Sequence, residues 1–252
     1  MLGSFLLYGI PNIAGAIIGA IFLAIFIPRY RKKETRKERL KPLIYMYVAL
    51  MIAEVLKISF HVSTQGFFSP QTFPIIYCSF VMYTIPLICH AKLDSKAFRI
   101  ACGITIVSCL AIGAPYFFVY PGIDPNDLPT YYTYIMHYHS RIYHIMMLTT
   151  AIYLVVVNVY DFRFKDFILC AGIVSLYFGF CTTLSVLIGA NISIFGPGSQ
   201  YFQVIYNRFG YGVGNLLLCA IVYLAGFFVW GSIKLIRDAV IKRQSRQIQS
   251  TT

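Results

Sequence analysis

Two sets of ionisable side chains interrupt apolar stretches of the sequence at helical spacing. Members of each set are three or four residues apart, so one face of a helix presents them all. The sets are Glu54, Lys57 and His61, and His137, Arg141 and His144. A charged side chain at the centre of a membrane-spanning helix costs about 2.5 to 3.5 kcal/mol on insertion scales. Two such stripes predict a shared polar interior, and residues of this kind are functional candidates by default.

Cys78 adds a nucleophile to this chemistry. A cysteine within reach of a histidine can lose its proton and accept an acyl group, provided that a polar partner orients the histidine. Lys57, Arg141 or His137 could stabilise the oxyanion of a tetrahedral intermediate or hold a lipid phosphate. The alternative hypothesis is that the ionisable residues only hold helices together and that Cys78 is a small apolar filler.

Seven apolar stretches are long enough to carry these residues across a membrane, since a hydrocarbon core about 30 Å thick needs roughly 20 residues per helix. They are residues 5–28, 42–61, 73–91, 99–120, 137–157, 167–192 and 210–233. Composition agrees, because 58% of the 252 residues are apolar and 12% are charged, against about 25% charged in soluble domains. We predict an all-α integral membrane protein, a seven-transmembrane-helix bundle that forms one domain over residues 1–252.

Basic residues alternate along the chain and predict its orientation. Eight of the 21 Lys and Arg residues lie in the segment from Arg29 to Lys41, and residues 92–99, 161–166 and 234–246 also carry Lys or Arg. Residues 62–72 and 121–130 carry none. The positive-inside rule then places the amino terminus outside and makes residues 234–252 a basic cytosolic tail. The net charge of +12 therefore indicates topology and not nucleic-acid binding, and anionic lipid headgroups are the partners predicted for Arg29 to Lys41.

This orientation gives the polar residues a depth. At about 1.5 Å per residue, Glu54 and His144 lie roughly 10 Å below the outer surface and Cys78 lies about 8 Å below it. The inner halves of the spans carry almost no ionisable group. We therefore predict one cavity that opens to the outer leaflet or the outer aqueous phase, where an amphiphilic substrate enters from the lipid. His139 points about 200° away from His137 and is predicted to be an interfacial or packing residue.

The seven cysteines all lie in apolar runs. None has a metal-type spacing such as Cys-x-x-Cys, so the sequence predicts no structural disulfide, no metal site and no cofactor.

Short motifs around these residues resemble those of the YwaF-like bacterial membrane proteins. Glu54-x-x-Lys57 and a Gly-containing loop precede Phe73-Pro74-Ile75-Ile76-Tyr77-Cys78-Ser79, which is similar to a Leu-Pro-Leu-His-Leu-Cys type segment in that group. His144, nine residues before Tyr153, resembles the histidine of the group's fifth helix. Animal relatives of the group are regarded as phospholipid-dependent acyltransferases with a cysteine and a histidine. The resemblance implies these roles for Cys78 and His144, a membrane lipid as substrate, and a bacterial plasma membrane as location.

Three classes of function follow. The first is a lipid-modifying enzyme, by acyl transfer or acyl-ester hydrolysis, in which Cys78 and His144 are catalytic. Its predicted substrate-binding residues are Glu54, Lys57, His61, His137 and Arg141. The second is a proton-coupled secondary transporter or channel that binds a small solute at the same charged residues. The third is a seven-helix sensor or receptor, although the last span lacks the buried lysine of a retinal protein.

Overall fold

The computed structural model describes residues 9–65, 77–118, 131–161, 163–188 and 203–249. Within these ranges every regular element is helical. The helices are α1 Ile10–Arg31, α2 Arg36–Leu40, α3 Pro42–Gln65, α4 Phe80–His90, α5 Lys96–Phe118, α6 Tyr131–Val156, α7 Phe164–Ile188, α8 Gln203–Phe209 and α9 Tyr211–Gln249. A 3₁₀ turn, Tyr77–Ser79, leads into α4.

Four helical segments of the described ranges are long and apolar enough to cross a membrane. They are Ile10–Arg31, Arg36–Thr64, Phe164–Ile188 and Tyr211–Ala239. Many large apolar side chains on these segments face outward, and Leu176 on α7 is 77% exposed. Exposing so large an apolar surface to water is unfavourable, whereas the hydrocarbon core of a membrane accommodates it. The prediction of an all-α membrane protein is therefore confirmed, while the count of seven spans and the orientation remain predictions.

The core of the bundle forms around α6, which packs against α1, α3 and α5. α4 joins this core through α3 and α5, and α7 and α9 pack onto α5. Small residues allow α1 to approach α6 closely. A Cβ atom added at Gly15 would lie 2.6 Å from Ile145 Cδ1, and one added at Gly19 would lie 2.5 Å from Thr149 Oγ1. This spacing of small residues is the usual device for close helix contact in membranes.

Charged residues of four separate segments meet at one end of the bundle, which we call the basic end. Arg36 on α2 lies 2.7 Å from Asp94, in the α4–α5 connection, and 3.7 Å from Asp161, in the α6–α7 connection. Arg237 on α9 donates hydrogen bonds to Asp161 and to the carbonyl oxygen of Tyr160. The Lys- and Arg-bearing segments of the sequence therefore lie on the same side of the bundle.

Several helices extend beyond the apolar stretches that predicted them. α3 continues to Gln65, α6 begins at Tyr131, and α9 continues through the predicted tail to Gln249. Hydropathy detects only the apolar part of a helix, and the Lys, Arg and Gln residues of the tail, which are good helix formers, extend α9 into polar surroundings. Residues 73–76 of the predicted third span and 189–192 of the sixth lie outside the described residues.

Candidate functional site

The charged residues of α3 face the protein interior. Glu54 and Lys57 are buried, at 2% and 8% exposure, and the Lys57 ammonium donates a hydrogen bond to the Glu54 carboxylate. His61, one turn further along, is fully buried. Desolvating two charges costs free energy that their attraction often fails to recover. The burial of the Glu54–Lys57 pair is therefore not explained well by a contribution to stability alone.

Cys78 lies in the 3₁₀ turn that leads into α4, and α4 packs against α3. Its side chain is partly buried and lies within electrostatic range of Lys57 and Glu54. A cation in this position attracts the negative charge that a reacting sulfur develops.

The predicted residues of α6 are also buried. Arg141 is 1% exposed and lies within electrostatic range of His144. His144 Nδ1 is 2.6 Å from the carbonyl oxygen of Ser140. Because a carbonyl oxygen only accepts hydrogen bonds, Nδ1 carries the hydrogen in this contact. The side chain of His137 is outside the described residues.

Two residues that the sequence did not single out as ligands join this group. His139 lies against the backbone of Ala53 on α3 and within electrostatic range of Lys57 and His61. Its ring stacks on that of Tyr143, one turn along α6, with centroids 5.5 Å apart. The sequence interpretation of His139 as interfacial or packing overlooked this polar environment, for which the i, i+4 spacing of His139 and Tyr143 is the only signal.

Tyr143, on α6, is the second of these residues. Its ring meets the ring of His144 edge to face at 6.2 Å, and it lies within electrostatic range of Cys78 and Glu54. The side chains linked in this way form what we call the polar cluster. It consists of Glu54, Lys57, His61, Cys78, His139, Tyr143 and His144.

Two hollows in the described part of the chain lie away from the polar cluster. One is a shallow surface hollow along α7, lined by Lys165 and Leu176 among others. The other, of about 40 Å³, lies between α5, α7 and α9 beside Trp230. The segments that adjoin the cluster in sequence, residues 66–76 and 119–130, are outside the described residues. Among the residues that are described, no group of three or more His, Cys, Asp or Glu could hold a metal ion.

The model of the TMEM164 family matches residues 7–231, a range that contains the whole polar cluster. No curated protein and no solved structure is detectably similar to the chain.

Proposed function

The chain belongs to the TMEM164 family, and from that premise we propose that it is a membrane-embedded enzyme acting on phospholipid acyl esters. Cys78 is the nucleophile and His144 the base. The observation that carries the proposal is the setting of Cys78. Its sulfur is in electrostatic range of a buried ammonium and of Tyr143, whose ring contacts His144. The resemblance of the Cys78 and His144 segments to YwaF-like proteins supports the same assignment.

The proposed reaction has two steps. His144 Nε2 takes the proton of the Cys78 thiol, and the sulfur attacks the ester carbonyl carbon of a phospholipid. The carbon–oxygen ester bond then breaks, the lysophospholipid oxygen receives the proton from His144, and a thioester remains on Cys78. In the second step a lysophospholipid hydroxyl attacks the thioester in acyl transfer, or water attacks it in hydrolysis. His144 takes the proton of the attacking hydroxyl or water and returns it to the sulfur of Cys78 as the thioester bond breaks.

The remaining residues position charge around this reaction. Lys57, held by Glu54, stabilises the negative charge of the tetrahedral intermediate. Arg141 and His137 bind the lipid phosphate, for which a guanidinium is well suited, and His61 extends the polar wall along α3. In the predicted orientation the cluster lies in the outer half of the membrane. The basic end then faces the cytosol, where Arg29 to Lys41 contact anionic headgroups, as in a bacterial plasma membrane.

The test is covalent capture of the acyl group. Purified protein incubated with an acyl-labelled phospholipid should form a hydroxylamine-sensitive adduct that Cys78→Ala abolishes, since hydroxylamine cleaves the thioester that only this sulfur forms. Cys219→Ala is the matched control, because Cys219 is a partly buried cysteine on α9 and its variant should keep the adduct. If the wild-type protein acquires no label from any of several phospholipid classes, the proposal is contradicted.

One observation favours a second candidate, a proton-coupled transporter or channel. The buried Glu54–Lys57 pair, close to His61 and His139, resembles the ionisable groups that relay protons in transporters. Proteoliposomes separate the two functions. Solute uptake driven by a pH gradient that survives Cys78→Ala and fails in Glu54→Gln would identify transport.

A further inference from the structure

The Tyr143 hydroxyl is a buried donor with no hydrogen-bond partner in the part of the chain that the structure describes. The residue is 2% exposed. Leaving a buried polar group unsatisfied costs about 1 to 3 kcal/mol, and phenylalanine would fill the same space without that cost. The hydroxyl therefore needs an explanation beyond packing.

Two other buried tyrosines, one on α6 and one in the connection that follows it, have hydrogen-bond partners for their hydroxyls. The Tyr153 hydroxyl, also on α6, donates to the carbonyl oxygen of Arg39 at 2.6 Å. The Tyr160 hydroxyl donates to Asp166 Oδ2 at 3.1 Å. Both of these tyrosines lie toward the basic end, whereas Tyr143 lies in the polar cluster. The unpaired hydroxyl is thus found where a substrate is expected.

The ring that carries this hydroxyl contacts two histidine side chains of α6. It stacks on His139 at 5.5 Å and meets His144 at 6.2 Å. The tyrosine is also within electrostatic range of Cys78. A carbonyl carbon attacked by the Cys78 sulfur must lie beside that sulfur and beside the base. Its oxygen would then be near the Tyr143 hydroxyl.

We propose that Tyr143 is a further catalytic residue, whose hydroxyl donates a hydrogen bond to the carbonyl oxygen of the lipid ester and, more strongly, to the oxyanion formed when sulfur attacks. This inference rests on the proposed function. A preorganised donor is most effective where water is excluded, because its dipole needs no reorganisation as charge develops. His139 is a positioning residue that holds the ring by stacking.

The test is Tyr143→Phe, which keeps the ring and its contacts and removes only the hydroxyl. We expect kcat for adduct formation to fall about 10²- to 10³-fold, as for other oxyanion donors, with KM for the phospholipid nearly unchanged. The melting temperature should stay equal or rise, because an unsatisfied buried hydroxyl is lost. Tyr153→Phe is the matched control. It loses a formed hydrogen bond to the Arg39 carbonyl, so its melting temperature should fall while kcat stays at the wild-type value.

Contrary outcomes are distinct from failure of the proposed function. Wild-type turnover by Tyr143→Phe, or a melting temperature as low as that of Tyr153→Phe, would overturn the role of the hydroxyl. If the wild-type protein forms no adduct, the proposed enzymatic function is contradicted. A binding measurement then tests whether the Tyr143 hydroxyl contacts the phospholipid. In that measurement phosphatidylcholine in detergent micelles should raise the melting temperature more for wild type than for Tyr143→Phe. Equal shifts would overturn the inference.

Discussion

The hydrogen bond of His144 separates its proposed chemistry from its structural role. Nδ1 donates to the Ser140 carbonyl, and the proposed chemistry uses the other ring nitrogen, Nε2. In His144→Asn the shorter amide retains a donor near Nδ1 but has no base at Nε2. We expect adduct formation to fall about 10²- to 10⁴-fold, the range of general-base catalysis. The melting temperature should stay close to that of wild type, whereas His144→Leu, which loses the donor as well, should melt lower. Undiminished adduct formation in His144→Asn would exclude His144 as the base.

The sequence singles out the α3 members of the polar cluster, Cys78 and His144, but not Tyr143 and His139, which join them from α6. Glu54 and Lys57 are detectable because a charge in an apolar stretch is costly enough to fix which face turns inward. Tyr143 belongs to an apolar run, where an aromatic residue is ordinary. Whether its hydroxyl has a partner depends on the rotation of α6 relative to α3 and α4. That rotation is a property of packing between helices, and residue spacing within one helix does not determine it.

At the scale of helices, the contact between α1 and α6 leaves no room for a side chain on the glycine face. A Cβ at Gly19 would lie 2.5 Å from Thr149 Oγ1, and that hydroxyl is held by a hydrogen bond to the Ile145 carbonyl. Gly19→Ala should therefore destabilise the protein by about 1 to 3 kcal/mol, the usual cost of overpacking. Thermal unfolding in detergent measures this change.

Two variants make the Gly19 prediction specific. Gly172 on α7 has no atom within 4 Å of an added Cβ, so Gly172→Ala should be neutral or stabilising by up to about 1 kcal/mol, through helix propensity. Thr149→Ala removes the atom that Gly19→Ala would strike, and the double variant should recover much of the lost stability. If Gly19→Ala unfolds at the same temperature as Gly172→Ala, α1 and α6 do not pack as closely at Gly19 as the structure indicates.

Across the whole molecule, charge predicts an arrangement that hydropathy alone does not. The basic segments were expected on one side of the membrane, and the contacts of Arg36 and Arg237 with Asp161 do bring three of these segments together. Asp94 adds the fourth. Which charges pair is not predictable from sequence, because all four segments carry several cations and the Arg36–Asp161 pair joins residues 125 positions apart. The pairing is set by how the apolar helices pack above them.

Asp161 is the shared partner of this end, and its titration should control the stability of the bundle in acid. The hydrogen bond from Arg237, together with the nearby positive charges of Arg237 and Arg36, holds the pKa of the Asp161 carboxyl below its ordinary value of 3.8. A lowered pKa in the folded state means that the stabilisation is complete above the ordinary value and is lost as pH falls through the lowered one. The melting temperature of wild type should therefore drop as acid is added below about pH 4.

Asp161→Asn should melt lower at neutral pH, by the equivalent of about 1 kcal/mol or less because the carboxylate is partly exposed. Its melting temperature should also fall less in acid than that of wild type. Asp238→Asn is the control, since the exposed Lys234–Asp238 pair lies within one helix and joins no segments. Parallel acid profiles for wild type and Asp161→Asn would show that Asp161 does not tie the α6–α7 connection to α9.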